Sequence, residues 1–316
     1  MHMLSPLSKG LYKKVIAESG SSLNPWAVYI EPYDPTDAAY LLADNSGCPR
    51  LPHEDLLACL RTMDPFLISA MTPIQLYNIF TWAPVVDGPG GFLPDEPLNL
   101  LKNGQFNMDV PVLIGYNKDE TSPLMVLVDG AGDGMTRDEF NQLLWDRNVL
   151  GRKYYSDTNI HYEDLFKAYG NQYTPWEDPE NVTLLRDAYM ELLDENIFHA
   201  GIHWQARAFS IYGLDTYVYR FDYDRSGILP DWMGVPHVAE LFYVFGSSYQ
   251  DNAFAFMEWT DEDRKVSDTV QTLWCNFAKS GNPTPDGMAI PNRITVSTKY
   301  FEPAKVTSDG RERSVA

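Results

Sequence analysis

Three residues of the chain have the types and the placement that acid–base chemistry needs: Asp119, Glu120 and His237. The two acids follow VPVLIGYN after a single lysine, and this apolar run ends in Asn as buried strands do. His237 follows a Gly-Val-Pro turn, which predicts that it lies on a loop. A carboxylate that orients a histidine produces a general base. The spacing alone leaves a second interpretation open, in which these are unrelated surface residues.

Strands must alternate with helices to bring these residues together. Apolar or alternating runs predict strands in KKVIAESG from Lys13, in VPVLIGYN from Val110 and in DTYVYRFDYD from Asp215. Helical patterns occur in TDAAYLLAD, HEDLLACLRTM, MTRDEFNQLLWDRN, a long segment from Val182 to Ile211, and a last helix that Thr260 and Asp263 cap and Gly281 ends. The alternation predicts an α/β architecture with a mostly parallel sheet, whose working residues follow the carboxyl ends of strands.

The composition argues against some partners. The chain has 316 residues and a formal net charge of −20, which disfavours nucleic acid because phosphate binding needs clustered Lys and Arg. The acidity serves solubility or, alternatively, steers cationic ligands toward a cleft. The sequence has no apolar run of about 18 residues that would span a membrane, and MHMLSPLSKG lacks the features of a signal peptide. By length, the chain forms one large domain or two ordinary ones.

The chain has three cysteines, of which Cys48 and Cys59 enclose ten residues. Two cysteines this close in sequence either form a disulfide or remain free, and the spacing does not decide between the two. Cys275 stands in the apolar run TLWCNFA, which predicts a buried free thiol. One glycosylation sequon, Asn181-Val182-Thr183, is compatible with secretion.

Five motifs occur in one order with sensible gaps: HMLSPLSKGLYKKVIAESG, APVVDG, LIGYNKDE, WMGVPH and NFAKSGNPTP. Together they resemble the type-B carboxylesterase/cholinesterase family of α/β-hydrolases, over a stretch from His2 to Pro285. The resemblance implies an α/β-hydrolase fold in a single domain over residues 1–316. In that fold the triad acid precedes the histidine along the chain, as Glu120 precedes His237 here.

The resemblance implies a role for several polar residues. Glu120 is the triad acid and His237 is the general base of a serine hydrolase, while Ser19 and Glu240 support the histidine from behind. The implied substrate is a small carboxylic ester. No cofactor and no metal are implied.

Two aromatic residues and the close cysteine pair also match family positions. Trp26 and Phe80 stand where relatives line the pocket for the acyl group, although plain core packing explains both residues equally well. Cys48 and Cys59 stand where the family has a small disulfide loop, so the resemblance implies a disulfide between them. The family and this disulfide together imply a secreted protein or one on the extracellular face of a membrane.

The sequence also departs from the family pattern. Thr121 follows the acid and Val238 follows the histidine, and most relatives have Gly at both places. Pro123 and Leu124 stand where cholinesterases carry pocket aromatics, which argues against a choline-specific site. These changes add side-chain bulk beside the acid and the base.

The nucleophile is missing from the motifs. The family's serine lies in a G-x-S-x-G elbow, and the 316 residues contain no such pentapeptide; GSS at 20–22 and at 246–248 lacks the second glycine. By the family pattern, we expect the serine roughly eight residues before Met1, together with the oxyanion-hole loop. The expectation is therefore an N-terminally truncated α/β-hydrolase that is inactive as this chain alone.

Two other hypotheses remain. The same family includes non-catalytic, cholinesterase-like adhesion proteins that bind a partner protein, and VIAESGSSLNPWAV resembles those as well as the enzymes. Glu195, His199 and His203 recur at four-residue spacing on one predicted helix face and resemble metal ligands. No fourth ligand accompanies them, so we expect no metal there.

Overall fold

The described part of the chain forms a four-stranded sheet with helices in the connections. The structure is a computed structural model, which describes residues 1–30, 34–71, 82–149, 161–225, 229–250, 257–285 and 294–297. The strands are β1 (Val15–Glu18), β2 (Val112–Asn117), β3 (Thr216–Phe221) and β4 (Ile294–Ser297), and this is also their order in the sheet. β1, β2 and β3 pair in parallel, whereas β4 runs antiparallel to β3. The predicted α/β architecture with a mostly parallel sheet is confirmed.

Helices fill the connections between the parallel strands, because parallel neighbours need long crossovers. Between β1 and β2 lie α1 (Pro35–Ser46), α2 (His53–Arg61), α3 (Pro65–Met71) and α4 (Pro97–Lys102). Between β2 and β3 lie α5 (Ser122–Met125), α6 (Arg137–Leu143), α7 (Tyr162–Tyr173), α8 (Val182–Asp194) and α9 (Ala200–Ile211), and after β3 come α10 (Leu241–Val244) and α11 (Asp261–Ser280). Within the described ranges, none of the helices combines the length and the apolarity that crossing a bilayer requires.

All six residues of β2 are buried, as expected of a parallel strand that helices cover on both faces. Its side chains alternate between the faces: Val112 and Ile114 pack in one apolar cluster with α9, and Leu113 packs in another with α11. Gly115 permits close approach to β3, because a Cβ there would lie 2.3 Å from the backbone oxygen of Tyr219. This packing fixes the end of β2, where the predicted acid follows.

The helix predicted from Val182 to Ile211 is interrupted. α8 ends at Asp194, a π-helical turn covers Glu195–His199, and α9 begins at Ala200. A π turn holds one more residue than an α-helical turn, and such turns are frequent at functional sites. The apolar periodicity located the segment correctly but did not predict the turn.

The last long helix has the predicted ends. Thr260 Oγ1 accepts a hydrogen bond from the Asp263 backbone N–H at 3.1 Å, and Asp263 Oδ2 accepts one from the Thr260 N–H at 2.8 Å. Gly281 adopts a left-handed φ of 84°, and its N–H donates to the Phe277 carbonyl at 2.8 Å. The capping box and the terminating glycine of α11 are therefore confirmed.

The cysteine predictions had different outcomes. Cys48 and Cys59 form a disulfide with an S–S distance of 2.03 Å, which confirms the pairing that the resemblance implied. The prediction that Cys275 is buried is wrong, because its side chain is exposed. α11 buries the face that carries Leu273, Trp274 and Phe277, and Cys275 lies on the other side of the same helix.

Candidate functional site

The carboxylate of Glu120 is the centre of the candidate site. It lies in the turn after β2 and is 1% exposed. Its Oε1 accepts hydrogen bonds from Ser19 Oγ at 2.5 Å and from the Asn117 backbone N–H at 2.7 Å. Its Oε2 lies 2.6 Å from His237 Nδ1. Since an ionised carboxylate can only accept, this contact places the hydrogen of the ring on Nδ1 and leaves Nε2 with its lone pair.

The loop that carries His237 is attached to the β2 turn through Asp119. The Asp119 N–H donates to the Val235 carbonyl at 3.0 Å, and the Val235 N–H donates to Asp119 Oδ2 at 2.8 Å. The residue before Val235 must be a glycine. Gly234 has a φ of +54°, and a Cβ there would lie 2.1 Å from Asp119 Oδ2. Two residues before the histidine, the loop is therefore fixed to the residue that precedes the acid.

Glu240 supports the same loop indirectly. It is 2% exposed, and its Oε2 accepts a hydrogen bond from the Asn117 side-chain amide. The same amide donates to the Pro236 carbonyl at 2.9 Å, directly before His237. Burial raises the pKa of Glu240 to about 7. Ser19 thus contacts the acid directly, whereas Glu240 is connected to the loop of the histidine through Asn117. The sequence did not indicate this role of Asn117.

The ring of His237 is held on one side and open on another. Its side chain is 43% exposed, and within the described part of the chain Nε2 makes no hydrogen bond. The hydrogen bond that His237 donates to Glu120 raises the pKa of the imidazole, and partial burial opposes the rise. The ring packs against Phe198 with centroids 5.1 Å apart. A polarised, accessible nitrogen next to a buried acid is what a general base requires.

Of the two predicted acyl-pocket residues, the structure describes only Trp26. Trp26 packs against Phe198 with ring centroids 5.8 Å apart, so a single aromatic ring separates it from His237. Phe80 lies outside the described residues. Sequence reasoning missed Phe198, although it lies in ENIFHAGIH, the segment considered for metal ligands. No sequence pattern marks it, because the π turn determines where its side chain points.

The three residues at four-residue spacing do not form a metal site. His199 Nε2 lies 3.4 Å from the Asn117 carbonyl, and His203 Nε2 lies 2.8 Å from the Tyr116 hydroxyl. Burial lowers the pKa of His199 to about 4. Among the described residues, no three His, Cys, Asp or Glu side chains lie together in a group that could hold a metal ion. The four-residue spacing along the helix therefore does not bring the three side chains together as ligands of one metal ion.

Thr121, one of the two departures from the family pattern, has a buried partner. Its backbone N–H and its hydroxyl both donate to Asp194 Oδ1, each at 2.6 Å. Asp194 ends α8 and is 4% exposed, and burial raises its pKa to about 8. The added hydroxyl at Thr121 is thus satisfied by an acid that sequence reasoning did not identify.

Val238, the other departure, carries backbone strain. Its φ is 68°, in the left-handed region that a β-branched residue rarely adopts. The side chain is not a large part of the core, since the residue is 47% exposed. The turn after His237 therefore keeps a glycine-like conformation although the residue is valine.

None of the described serines forms a hydrogen bond with His237. Ser21 Oγ donates to the Gly201 carbonyl at 2.8 Å, and Ser22 Oγ donates to Gln205 Oε1 at 2.5 Å. Ser19, which is close to the site, bonds to the acid instead of the histidine. The described residues thus contain an acid and a base without a hydroxyl or thiol hydrogen-bonded to the base.

Comparisons with known proteins identify the class to which this site belongs. The sequence model of the family described as "Carboxylesterase family" matches residues 1–310. The chain therefore belongs to the carboxylesterase family and has the α/β-hydrolase fold class. The chain is 30% identical over 295 residues to an acetylcholinesterase of Bungarus fasciatus, and 30% identical over 301 residues to acetylcholinesterase 1 of Caenorhabditis elegans. Each alignment covers 90% of this chain and 46% of the relative. The chain spans about half the length of the curated relatives it matches, and the family resemblance inferred from its motifs is confirmed.

Proposed function

We propose that the protein carrying this chain hydrolyses small carboxylic esters, with His237 as general base and Glu120 as the acid that orients it. The observation that carries the proposal is the 2.6 Å contact between Glu120 Oε2 and His237 Nδ1, made by a fully buried carboxylate and a half-exposed ring. Membership of the carboxylesterase family supports the same chemistry. The partners of the protein in this proposal are small ester molecules, with no nucleic acid and no cofactor.

The proposed proton transfers use the free nitrogen of the ring. His237 Nε2 takes the proton of a serine hydroxyl as its oxygen attacks the ester carbonyl, and Glu120 stabilises the imidazolium that forms. The imidazolium then returns the proton to the departing alcohol. Water repeats the cycle on the acyl-enzyme and releases the acid. Ser19 and the Asn117 N–H hold Glu120 through Oε1, so the carboxylate keeps Oε2 on the ring throughout.

The serine is proposed to come from outside these 316 residues, which contain no G-x-S-x-G elbow. The fraction of the relatives that the alignments cover, 46%, supports this. Residues 1–316 then form part of one α/β-hydrolase domain, and the oxyanion-hole N–H groups accompany the serine. The chain alone accordingly has no triad-dependent esterase activity.

An extracellular or secreted location is proposed on separate grounds. The Cys48–Cys59 disulfide supports an oxidising compartment. Asn181 is a candidate glycosylation site, because it begins the sequon Asn181-Val182-Thr183. A glycosidase-sensitive mobility shift that an Asn181→Gln variant abolishes would support both proposals.

The experiment that tests the function begins with the coding sequence upstream of Met1. A G-x-S-x-G motif found there is expressed together with this chain, and hydrolysis of p-nitrophenyl acetate is measured. We expect a reduction of about 10³-fold or more in kcat for the His237→Ala variant, and a smaller one for Glu120→Gln. The control is His53→Ala, because His53 of α2 bonds to Tyr40 of α1, outside the site.

The opposite outcomes define the alternative. A different residue in place of the serine, with His237 and Glu120 retained, would favour a non-catalytic adhesion protein of the same fold that binds a partner protein. Activity that persists in the His237→Ala variant would overturn the proposed role of the histidine. Burst hydrolysis by the 316-residue chain alone, abolished by the same substitution, would overturn the need for an external serine.

A further inference from the structure

Ser19 holds Glu120 from a backbone conformation that is unusual for serine. Its φ is 52°, in the left-handed region that favours glycine, and the residue is 2% exposed. The Ser19 N–H donates to the Gly115 carbonyl at 2.8 Å, whereas the hydroxyl turns to Glu120 Oε1 at 2.5 Å. A conformation of this kind persists only where the surrounding contacts fix it. The preceding residue, Glu18, makes such contacts.

Glu18 is the last residue of β1, and its side chain is bound to a helix. Trp274 of α11 donates its indole N–H to Glu18 Oε1 at 2.7 Å. Trp274 is 7% exposed and belongs to the apolar cluster in which α11 packs on the sheet. This hydrogen bond joins residues that are 256 positions apart in the chain. It therefore ties the end of β1 to α11 directly before the turn at Ser19.

A second aromatic residue, Tyr219, covers the space beside Glu18. Glu18, Gly115 and Tyr219 lie in one row across β1, β2 and β3. A Cβ on Gly115 would lie 2.3 Å from Tyr219 Cδ1, so the tyrosine ring lies over this glycine. Because neighbouring strands are about 4.8 Å apart, a ring that starts on β3 and covers β2 extends toward Glu18. The ring also packs against the Trp274 indole, with centroids 4.8 Å apart.

The carboxyl group of Glu18 is a costly anchor. Its Oε2 is buried and makes no hydrogen bond with the described residues, and the same holds for the fully buried Tyr219 hydroxyl. Burial raises the pKa of Glu18, and the hydrogen bond from Trp274 opposes the rise. Buried polar atoms without partners lower stability, so packing alone would favour an apolar residue here. The cost indicates a role of Glu18 beyond packing.

We propose that Glu18 is a positioning residue of the candidate site. Held by the Trp274 indole, it fixes the end of β1, so that Ser19 keeps its left-handed backbone and its hydroxyl stays on Glu120. Glu120 then keeps its other oxygen on His237 Nδ1. Glu18 acts through Ser19 and forms no hydrogen bond with the imidazole itself. This role rests on the functions proposed above for Glu120 and His237.

NMR of the folded 316-residue chain tests this role through the imidazole of His237. Trp274→Phe keeps an aromatic ring on α11 but removes the donor to Glu18. We expect the pKa of His237 to fall toward its ordinary value, and its Nδ1–H signal to broaden through faster exchange, because Glu120 is held less firmly. A Trp274→Phe protein that is less stable in urea but leaves His237 unchanged would overturn the proposal, since the hydrogen bond would then serve only to pack β1 on α11.

A double-variant cycle tests whether the effect passes through Ser19. Ser19→Ala removes the hydroxyl that holds Glu120, and it is expected to shift the pKa of His237 in the same direction as Trp274→Phe. In the double variant Ser19→Ala/Trp274→Phe, the shift should be no larger than in Ser19→Ala alone, because both substitutions act on one contact. Additive shifts would overturn the route through Ser19.

Two substitutions of Glu18 itself separate position from charge. Glu18→Gln keeps an oxygen for the Trp274 N–H and is expected to leave the pKa of His237 near the wild-type value. Glu18→Ala removes the acceptor and is expected to reproduce the shift of Trp274→Phe. The charges that raise the pKa of His237 are those of Glu120 and Glu240. Equal shifts in the glutamine and alanine variants would mean that the charge of Glu18 acts on the imidazole, and they would overturn the positioning role.

The matched control is Tyr223→Phe, which also removes a buried hydrogen bond to α11 and keeps its ring. The Tyr223 hydroxyl donates to Asp263 Oδ1 at 3.2 Å, at the first turn of that helix. The control is expected to lower the stability and to leave the titration of His237 unchanged. A shift as large as that of Trp274→Phe would trace the effect to general loosening of α11 and overturn the proposal.

These outcomes are distinguishable from a failure of the proposed function. The NMR measurements need neither a serine nor an ester, so a lack of esterase activity in the assembled protein would contradict the hydrolase and leave the shifts of His237 as the support for Glu18. Full esterase activity together with an unchanged His237 in Trp274→Phe would overturn the positioning role alone.

Discussion

The side-chain amide of Asn117 joins the end of β2 to Glu240 through a buried hydrogen bond. The same amide donates to the Pro236 carbonyl at 2.9 Å, so Asn117 holds the residue before His237 and a residue three positions after it. Meanwhile the Asn117 backbone N–H donates to Glu120 at 2.7 Å. A single residue thus orients both the acid and the loop of the base.

We expect Glu240→Ala to lower the free energy of unfolding by about 1–3 kcal/mol, because the Asn117 amide then loses a buried acceptor. Glu240→Gln keeps an oxygen for that amide and is expected to cost less. Urea denaturation of the three proteins checks the difference. If glutamine is as damaging as alanine, the carboxylate acts through its charge instead of as an acceptor.

Asp194 is expected to make the fold less stable as the pH rises. Its pKa is about 8 when folded, compared with about 3.9 when unfolded. Between these values the folded state binds more protons, so the stability contributed by the protonated acid is lost progressively from about pH 4 to pH 8. Asp194→Asn should flatten this dependence in denaturation series at several pH values. The exposed Asp109→Asn serves as control, and an unchanged slope in Asp194→Asn would contradict the prediction.

Val238→Gly is expected to stabilise the protein. A left-handed conformation costs a non-glycine residue about 1–2 kcal/mol, while glycine gives back about 0.5–1 kcal/mol through the entropy of the unfolded chain. The net expectation is a gain of about 0.5–1 kcal/mol, measured as a higher urea midpoint at constant slope. Val238→Ala keeps a Cβ and should recover only part of the gain. A loss of stability in the glycine variant would show that the valine side chain contributes packing that outweighs its strain.

Glu120→Gln is expected to lower the pKa of His237, because the hydrogen bond that the imidazole donates to the carboxylate is the main cause of its rise. A raised histidine pKa contributes stability that is present below the unfolded value and is lost as the pH rises through the folded value. Titration of the imidazole by NMR measures the shift, with His53 as the internal reference. No change in the titration of His237 would mean that the 2.6 Å contact does not persist in solution.

The elements of the fold were more predictable than the contacts of the site. The runs that became β2 and β3 and the capping box of Thr260 and Asp263 follow from local patterns, so they needed only neighbouring residues. The contact between Glu120 and His237 spans 117 positions, and no local pattern specifies it; only the family motifs connected the two residues.

Asp194 and Phe198 were missed for a different reason. Regular helix periodicity extrapolates α8 straight into α9 and does not predict the π turn over Glu195–His199. Cys275 was placed wrongly because an apolar run was interpreted as buried on all sides, whereas α11 buries only one stripe. In each of these cases tertiary packing decided the direction of a side chain.

The π turn over Glu195–His199 also sets the rotational phase between α8 and α9. One residue of an α-helix corresponds to a rotation of about 100°, so the extra residue turns the whole of α9 relative to α8 by roughly that angle. The face of α8 that carries Asp194 is therefore set independently of the face that carries Phe198 and the residues beyond it. The loss of a single residue between the two helices would leave both of them helical. It would, however, rotate the side that contacts His237 relative to the side that contacts Thr121, so the two contacts would no longer face their partners together. Chain length in this segment is consequently as specific as the identity of any side chain in it.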